Sequence, residues 1–397
     1  MDALSIWGKE FASALGSLVP TIGWVPRLSW TGALQRWERN CDIEDPPLRV
    51  KCFPMQRGYR RGPIGWVSRT AVRQHQHLLA ASSGHRSPVL ILTSPYYAPI
   101  AGLWKGPVVY YVTDLLTKYA WSHEPQIRRL DKRMCQAAWL VCPNSTRIAA
   151  YLNEQAQCPA SKIVVVPNAT RKANLLQRVP SAPAALPADI GDLPRPVAGV
   201  IGNLAANTDW ELLERVVSST PMLSWAFVGP TSGPAGSWEQ HRCRRRLISM
   251  GGRVRFAGEK PYGQLRDYAR SFDVAVLPYR RREPTCSGSS TRFYEQLSAC
   301  RPMVATNCVA ELLEKQPLLS LASDANEMIA QLHDLHAAGF RDGYEALRWE
   351  TSLGETWETR AALMMAALAE RIKARTSAGD RGSEASVQAL ELTETNP

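Results

Sequence analysis

"DVAVLPYRRREPTCSGSSTRFYEQLSACRPMVAT", residues 273 to 306, holds a whole structural unit. It opens on an apolar run (273–279), passes Arg280, Arg281 and Arg282 and a stretch of small hydroxyl residues and glycine, then enters a helical pattern carrying Arg292 and Glu295. A proline and a second apolar run, PMVAT (302–306), close it. Strand, helix, strand is a βαβ unit, and strands this apolar predict a parallel sheet covered on both faces. The loop before the helix has two readings. Ser287, Gly288, Ser289, Ser290 and Thr291 can cap the helix. They can also cradle a diphosphate, whose charge free N–H groups, hydroxyls and the helix dipole would offset without a metal. Glu295, one turn beyond Thr291 on the same face, then suits the two vicinal hydroxyls of a ribose. From these residues alone both readings stay open.

The same rhythm runs through most of the chain. In the first part, strand patterns at 21–25, 48–54, 88–95, 108–114, 139–145 and 163–168 alternate with helical patterns at 69–81, 124–138 and 145–155. A Pro-rich stretch, VPSAPAALPADIGDLPRP (179–196), interrupts them and reads as a linker and hinge. The alternation then restarts with strands at 197–203, 224–230, 253–259, 273–279, 302–306 and 318–323. Two doubly wound, Rossmann-like α/β domains are expected, 1–178 and 197–345, with ligands bound in a cleft lined by post-strand loops. Helices follow at 346–375, and a small, polar tail at 376–397 is expected to be disordered.

Composition narrows the function classes. The chain has 397 residues, 45% hydrophobic and 21% charged, the globular range. No apolar run is long enough to span a bilayer, and the start lacks the order of a signal peptide, so a cytoplasmic protein is the expectation. Nine scattered Cys and seven unclustered His give neither a disulfide framework nor a zinc site. No P-loop, dinucleotide G-x-G-x-x-G, H-E-x-x-H, nucleophile elbow or Asp-x-Asp occurs, so no cofactor and no metal are expected. Residues 1–175 carry a net charge of +12 and the remainder −1. A stretch mixing this charge with tryptophan (Arg27, Trp30, Arg36, Trp37, Arg39, Arg57, Arg60, Arg61, Trp66) predicts either peripheral docking on an anionic inner leaflet or core tryptophans in a basic domain. Nucleic acid is not expected as a partner, because no aromatic-basic motif of that kind is present.

Taken in order, the pieces resemble the bacterial GT-B glycosyltransferases of the family-4, group 1 type, over about two-thirds of the chain. VVYYVTDLLTKY, LDKRMCQAAWLVCPNSTRIAAYL and IVVVPNAT look like that family's first domain. PVAGVIGNLAANTDWELLERV, SWAFVGP, VRFAGEKPYGQLRDYARSFDVAVLPY and SSTRFYEQLSACRPMVAT look like its second. The resemblance implies a nucleotide-diphosphate-sugar donor on the second domain, a glycan or lipid-linked acceptor on the first, and a C-terminal helix crossing back to the first. Glu295 would hold the ribose, and Ser289, Ser290, Thr291 and Arg292 the diphosphate. Post-strand Gly202, Asn203, Lys260 and Arg280, with Ser287 and Gly288, complete the expected donor site. Asp114, at a strand end, is the candidate general base of an inverting reaction, unless it caps the next helix; Glu124 and His123 come after it.

Three departures from the family pattern stand out. Ser287 replaces the first acid of the family's Glu-x7-Glu, eight residues before Glu295, so the anomeric outcome stays open, and the nearest upstream acid is Glu283. Cys300 stands where Gly is usual and Trp139 where Asp is usual. The chain enters the helical pattern SIWGKEFASAL without the strand and Gly-rich loop that normally precede it, which fits a remodelled acceptor side or residues missing from the start. The resemblance implies glycosyl transfer, as in cell-surface polysaccharide or glycoconjugate synthesis. Its alternatives are a sugar-nucleotide epimerase of the same architecture and a non-catalytic nucleotide-sugar-binding relative.

Overall fold

The computed structural model describes residues 6–29, 43–45, 48–56, 88–119, 122–232 and 236–377. The helical pattern at 69–81, most of the basic, Trp-bearing stretch and the tail from 378 lie outside the described residues. The chain divides into two compact units. One runs to Pro167 and takes in the C-terminal helix from Glu358; the other is Asn168–Trp357.

In the first unit the elements are α1 (Ile6–Leu18), β1 (Ile22–Ser29), β2 (Ile43–Asp45), β3 (Leu48–Gln56), β4 (Leu90–Leu92), α2 (Ala98–Leu103), β5 (Val108–Val112), α3 (Glu124–Ala137), β6 (Leu140–Pro143) and α4 (Thr146–Glu154). Strands β4, β5 and β6 form a parallel sheet in that order. Every residue of β5 is buried, as a strand covered on both faces requires. Ser145 caps α4, its Oγ accepting from the Ile148 amide at 3.1 Å. The apolar run 163–168 does not become a full strand. Val164 and Val166 donate to the carbonyls of Val141 and Pro143, but Pro143 has no N–H with which to return the ladder.

The second unit continues with β7 (Val197–Ile201), α5 (Trp210–Ser219), β8 (Ser224–Val228), α6 (Trp238–Ser249), β9 (Val254–Gly258), α7 (Leu265–Ser271), β10 (Val274–Leu277), α8 (Thr291–Leu297), β11 (Met303–Thr306), α9 (Ala310–Leu313), β12 (Ser320–Ala322), α10 (Ala325–Ala337) and α11 (Glu345–Gly354). Helix α12 (Trp357–Ser377) ends the described chain. The sheet order is β12-β11-β10-β7-β8-β9, all neighbours parallel. The chain therefore starts at the centre, builds outward on one side, and crosses to the other at β7/β10. That reversal is the topological switch point of a doubly wound sheet.

Alternation along the strands divides the core. Ala198 and Val200 of β7 pack with Trp210, Leu213, Val216 and Val217, one face of α5 at helical spacing. Val197 and Ile201 point the other way, to Leu265, Tyr268 and Phe272. At the centre of the first layer the Phe227 and Phe256 rings stack with centroids 4.6 Å apart.

The stretch read as a linker, 179–196, is not free-standing. Ile190 and Leu193 are buried in the second unit's core, Ala184 N donates to Arg270 O, and Arg195 pairs with Asp273 at 2.8 Å. Its apolar residues recur between the prolines, and they bury as any others do. The boundary between units falls instead at 167/168.

Candidate functional site

Three strands of the second unit end in glycines with positive φ. Gly202 follows β7 at +124°, Gly229 follows β8 at +143°, and Gly258 ends β9 at +72°. They are tied in series: Gly202 N donates to Val228 O and Gly229 N to Gly258 O. At Gly229 a side chain has no room, since a Cβ would lie 1.8 Å from the Gly202 carbonyl oxygen. The carboxyl edge of this half-sheet is thus lined by bare backbone.

Across the switch point the loops after β7 and β10 close on each other. Asp209 N donates to Pro278 O, and Arg280 N donates to Asn207 O. Arg292, from α8, fills the space beneath. Its Nη2 donates to Asn203 O at 2.6 Å and to Thr208 Oγ1 at 3.1 Å, and the guanidinium lies 4.9 Å from the centroid of Tyr279. Gly202 is what lets it approach, because a Cβ there would sit 2.7 Å from Arg292 Nε. Arg292 is 6% exposed, and its Nη1 has no hydrogen-bond partner among the described residues. Burial makes the guanidinium a weaker base than usual, which the neighbouring Tyr279 partly opposes. A buried cation with an unmatched donor is costly, and an anion at Nη1 would relieve it.

The serine-rich loop is already occupied from within. Ser290 caps α8, accepting from Phe293 N at 3.1 Å. Glu311, near the start of α9, accepts from Ser290 N at 2.7 Å, Ser289 Oγ at 3.0 Å and Tyr294 Oη at 2.6 Å. Burial raises the Glu311 carboxyl above its usual range, against the pull of those donors. From the other side Asn168 donates through Nδ2 to Ser289 O and Thr291 Oγ1. Its Oδ1 is buried without a partner among the described residues. Glu295 is buried too, accepting from Asn174 Nδ2 at 3.0 Å and from the Tyr262 hydroxyl. The structure thus shows Ser290 as a helix cap, with the donors of Ser289 and Ser290 that a diphosphate would have used held by Glu311.

Gly202, Asn203 and Arg292 come together at the β7/β10 crevice, with Ser289, Ser290, Thr291 and Glu295 on the adjoining loop and helix; Arg280 reaches the crevice through its backbone N–H, and its guanidinium lies beside Gly236 instead. Others are placed differently. Lys260 is drawn to Asp189, 2.7 Å away, which also accepts from Tyr268; its charge is neutralised by the Pro-rich segment. Ser287 is fully buried and donates to Glu283 at 2.6 Å, so the 3-10 turn at Thr285–Ser287 sets the upstream acid's carboxylate against the serine. Gly288 has ordinary φ and open space around it, so no close approach demands glycine there. Cys300, by contrast, has φ +60°, which explains why glycine is usual at its position.

In the first unit Asp114 follows β5. Tyr119 Oη donates to it at 3.0 Å, and burial raises its carboxyl above the ordinary range. It caps no helix through its side chain: α3 starts ten residues later, with His123 at its N-cap. Glu124 makes an i,i+4 pair with Arg128 that lowers its basicity, a poor environment for a general base. Glu311, Asn168, Asn174 and Tyr262 were not singled out from the sequence, although Asn168 ends the VVVPN motif that carried the resemblance. Among the described residues, no cluster of three or more His, Cys, Asp or Glu could hold a metal ion, and no helix is long and apolar enough to cross a membrane.

A central strand, a switch point beside it and a second Rossmann-like unit in the same chain define the GT-B class of glycosyltransferase folds. Comparison bears out both that fold and the group 1 resemblance. Residues 195–338 match the family model described as glycosyl transferases group 1. A sucrose-phosphate synthase from Thermosynechococcus elongatus is similar in structure, with TM-score 0.66, 18% identity and 92% of each chain covered. A glycosyltransferase from Rickettsia africae gives TM-score 0.67 at 10% identity, covering 94% of this chain and 97% of that one. Anabaena HepE, solved in complex with UDP and glucose, gives 0.55 at 15% identity, with 81% and 85% covered. No curated protein matches in sequence.

Proposed function

We propose that this chain transfers a sugar from a nucleotide-diphosphate donor to a glycan or lipid-linked acceptor. The observation that carries the reading is Arg292: a buried guanidinium under the Gly202 turn, one nitrogen holding the loop and the other unmatched. Placed there, the donor's diphosphate would take the free Nη1. The developing negative charge on the leaving group would then meet a cation already fixed in position, with no metal needed. Glu295, steadied by Asn174 and Tyr262, would hold the ribose hydroxyls. The structure of HepE with UDP and glucose favours a UDP-sugar as donor. Asp114 would serve as general base if the reaction inverts, since its raised carboxyl is better matched to neutral pH than an exposed one. The basic, Trp-bearing N-terminal stretch would meet an anionic inner leaflet, on the cytoplasmic side, in a pathway of surface glycoconjugate synthesis.

The test is a thermal-shift panel of UDP, GDP, ADP and dTDP and their sugars on wild type, Glu295→Gln and Arg292→Lys. One nucleotide family should raise the wild-type midpoint by several degrees and the variants' little or not at all. No stabilisation by any nucleotide, or equal stabilisation of both variants, would sink the assignment. Donor binding followed by release of free epimer would point to the epimerase instead. Binding without turnover of any donor would point to a non-catalytic relative.

A further inference from the structure

The β7/β10 crevice lies at the carboxyl edge of the second unit's sheet. At the amino edge, three adjacent strands enter side by side: β7 after Arg195, β10 after Asp273 and β11 after Arg301. Ala275 pairs with Met303 and Val274 with Ala198, so Arg301 stands level with Asp273, and strand alternation sets both on one face. Asp273 is already engaged, its Oδ2 accepting from Arg195 at 2.8 Å and from the Val197 amide at 2.7 Å. Arg301 is left over. It is 6% exposed, its Nε is enclosed without a partner, and among the described residues no hydrogen bond or ion pair holds its guanidinium. Burial makes it a weaker base than usual; Asp273 and Glu345 oppose that shift, while Arg341 and Arg195 add to it. Both of those neighbours are anchored by the Pro-rich segment. Arg341 Nη2 donates to Ser181 O at 2.7 Å and Arg195 Nη2 to Ala184 O at 2.6 Å. An unmatched buried cation costs stability that an apolar side chain of similar volume would not.

We propose that this amino edge is a binding site for a phosphate group, held by Arg301 and Arg341 with Arg195 alongside. The planar fork of Arg301 can give two parallel N–H bonds to phosphate oxygens, and Arg341 keeps Nε and Nη1 for a third. Charge favours phosphate over a carboxylate. Arg270, whose carbonyl accepts from Ala184 N, Arg301 and Arg341 have no ion pair among the described residues. Asp342 is taken by Arg348, which leaves Glu345 as the one unpaired acid facing Arg301. Three guanidiniums against one carboxylate leave an excess of about two, the charge of a phosphate near neutral pH. The site sits at the opposite ends of the strands from Gly202 and Arg292, and the inference does not rest on the donor-site reading.

The experiment is calorimetric titration of the full chain with inorganic phosphate, glycerol 3-phosphate and acetate, each in chloride of matched ionic strength. Wild type should bind inorganic phosphate and not acetate; binding of glycerol 3-phosphate as well would show that the site admits an ester. Arg301→Met should bind phosphate at least about tenfold more weakly, the loss expected for charge-assisted hydrogen bonds. Without ligand it should melt no lower than wild type, since it gives up a cation that had no partner. Arg341→Gln, altered at an exposed side chain, should weaken binding several-fold, and it carries the test if Arg301→Met does not fold. Arg292→Lys, altered at the other edge, should bind phosphate as wild type does. No binding by wild type, acetate bound as tightly as phosphate, or unchanged affinity in Arg301→Met and Arg341→Gln would overturn the inference. So would phosphate binding that is lost in Arg292→Lys alone.

Discussion

The two units finish their strands in opposite ways. In the first, β5 runs into Thr113 and Asp114, and β6 into Asn144 and Ser145; Asn144 N donates to Val112 O and its Nδ2 to Thr113 O at 2.8 Å. Side chains close that edge. In the second, glycines end β7, β8 and β9 and leave the edge as backbone, with Arg292 beneath it. The same architecture thus offers side-chain chemistry at one edge and side-chain-free backbone over a buried cation at the other. There the Gly202 and Gly229 amides are already taken by carbonyls, and Arg292 Nη1 is the unmatched donor. On the proposed function the acceptor would meet the first edge, and the donor's diphosphate would meet Arg292 at the second.

The contrast breaks most visibly at Gly229. Gly229→Ala forces a Cβ onto the Gly202 carbonyl at a backbone conformation of φ +143°, and a loss of at least about 3 kcal/mol is expected in urea unfolding. Unaltered stability would mean that the backbone contact does not hold this edge.

Next in size is an effect at a buried acid of the first unit, comparable with Glu311 in the second. Asp131, in the first unit, accepts from Tyr110 at 2.6 Å and Tyr151 at 2.8 Å, and burial raises its carboxyl to about 6. Its folded value lies above its unfolded one, so the folded state holds the proton more tightly. The stability this confers is complete below about pH 4 and is lost by about pH 6, roughly 3 kcal/mol in all. Asp131→Asn should flatten that slope in denaturant melts taken between these limits, and an unchanged slope would assign it to other groups.

The smallest effect is expected at Cys300. Cys300→Gly relieves the left-handed backbone but loses a buried thiol and adds freedom to the unfolded chain, so the net should stay within about 1 kcal/mol of wild type by calorimetry. Cys300→Val, which cannot relax the backbone, should be clearly worse.

Much of this was legible in the sequence because it is local. Strand and helix alternation, the caps at Ser145 and Ser290, and the Gly202 turn are each written within a few residues. What sequence reading missed is long-range. Glu311 reads as an ordinary surface acid in VAELLEK, and nothing nearby says that it will bury against Ser289 and Ser290. Asn174 meets Glu295 across 121 positions, and Lys260 meets Asp189 inside a stretch whose prolines suggested a hinge. Proline density reports stiffness; it says little about burial, and Ile190 and Leu193 decided that segment's place.

Glu311 also changes how the serine loop must be counted thermodynamically. A loop of small residues ordinarily loses conformational entropy when a ligand orders it, and that loss is subtracted from affinity. Here an internal carboxylate and Asn168 have fixed Ser289, Ser290 and Thr291 beforehand, so the entropy is lost at folding. The ligand would then meet a rigid wall whose anion position is already taken at the serines and still open at Arg292.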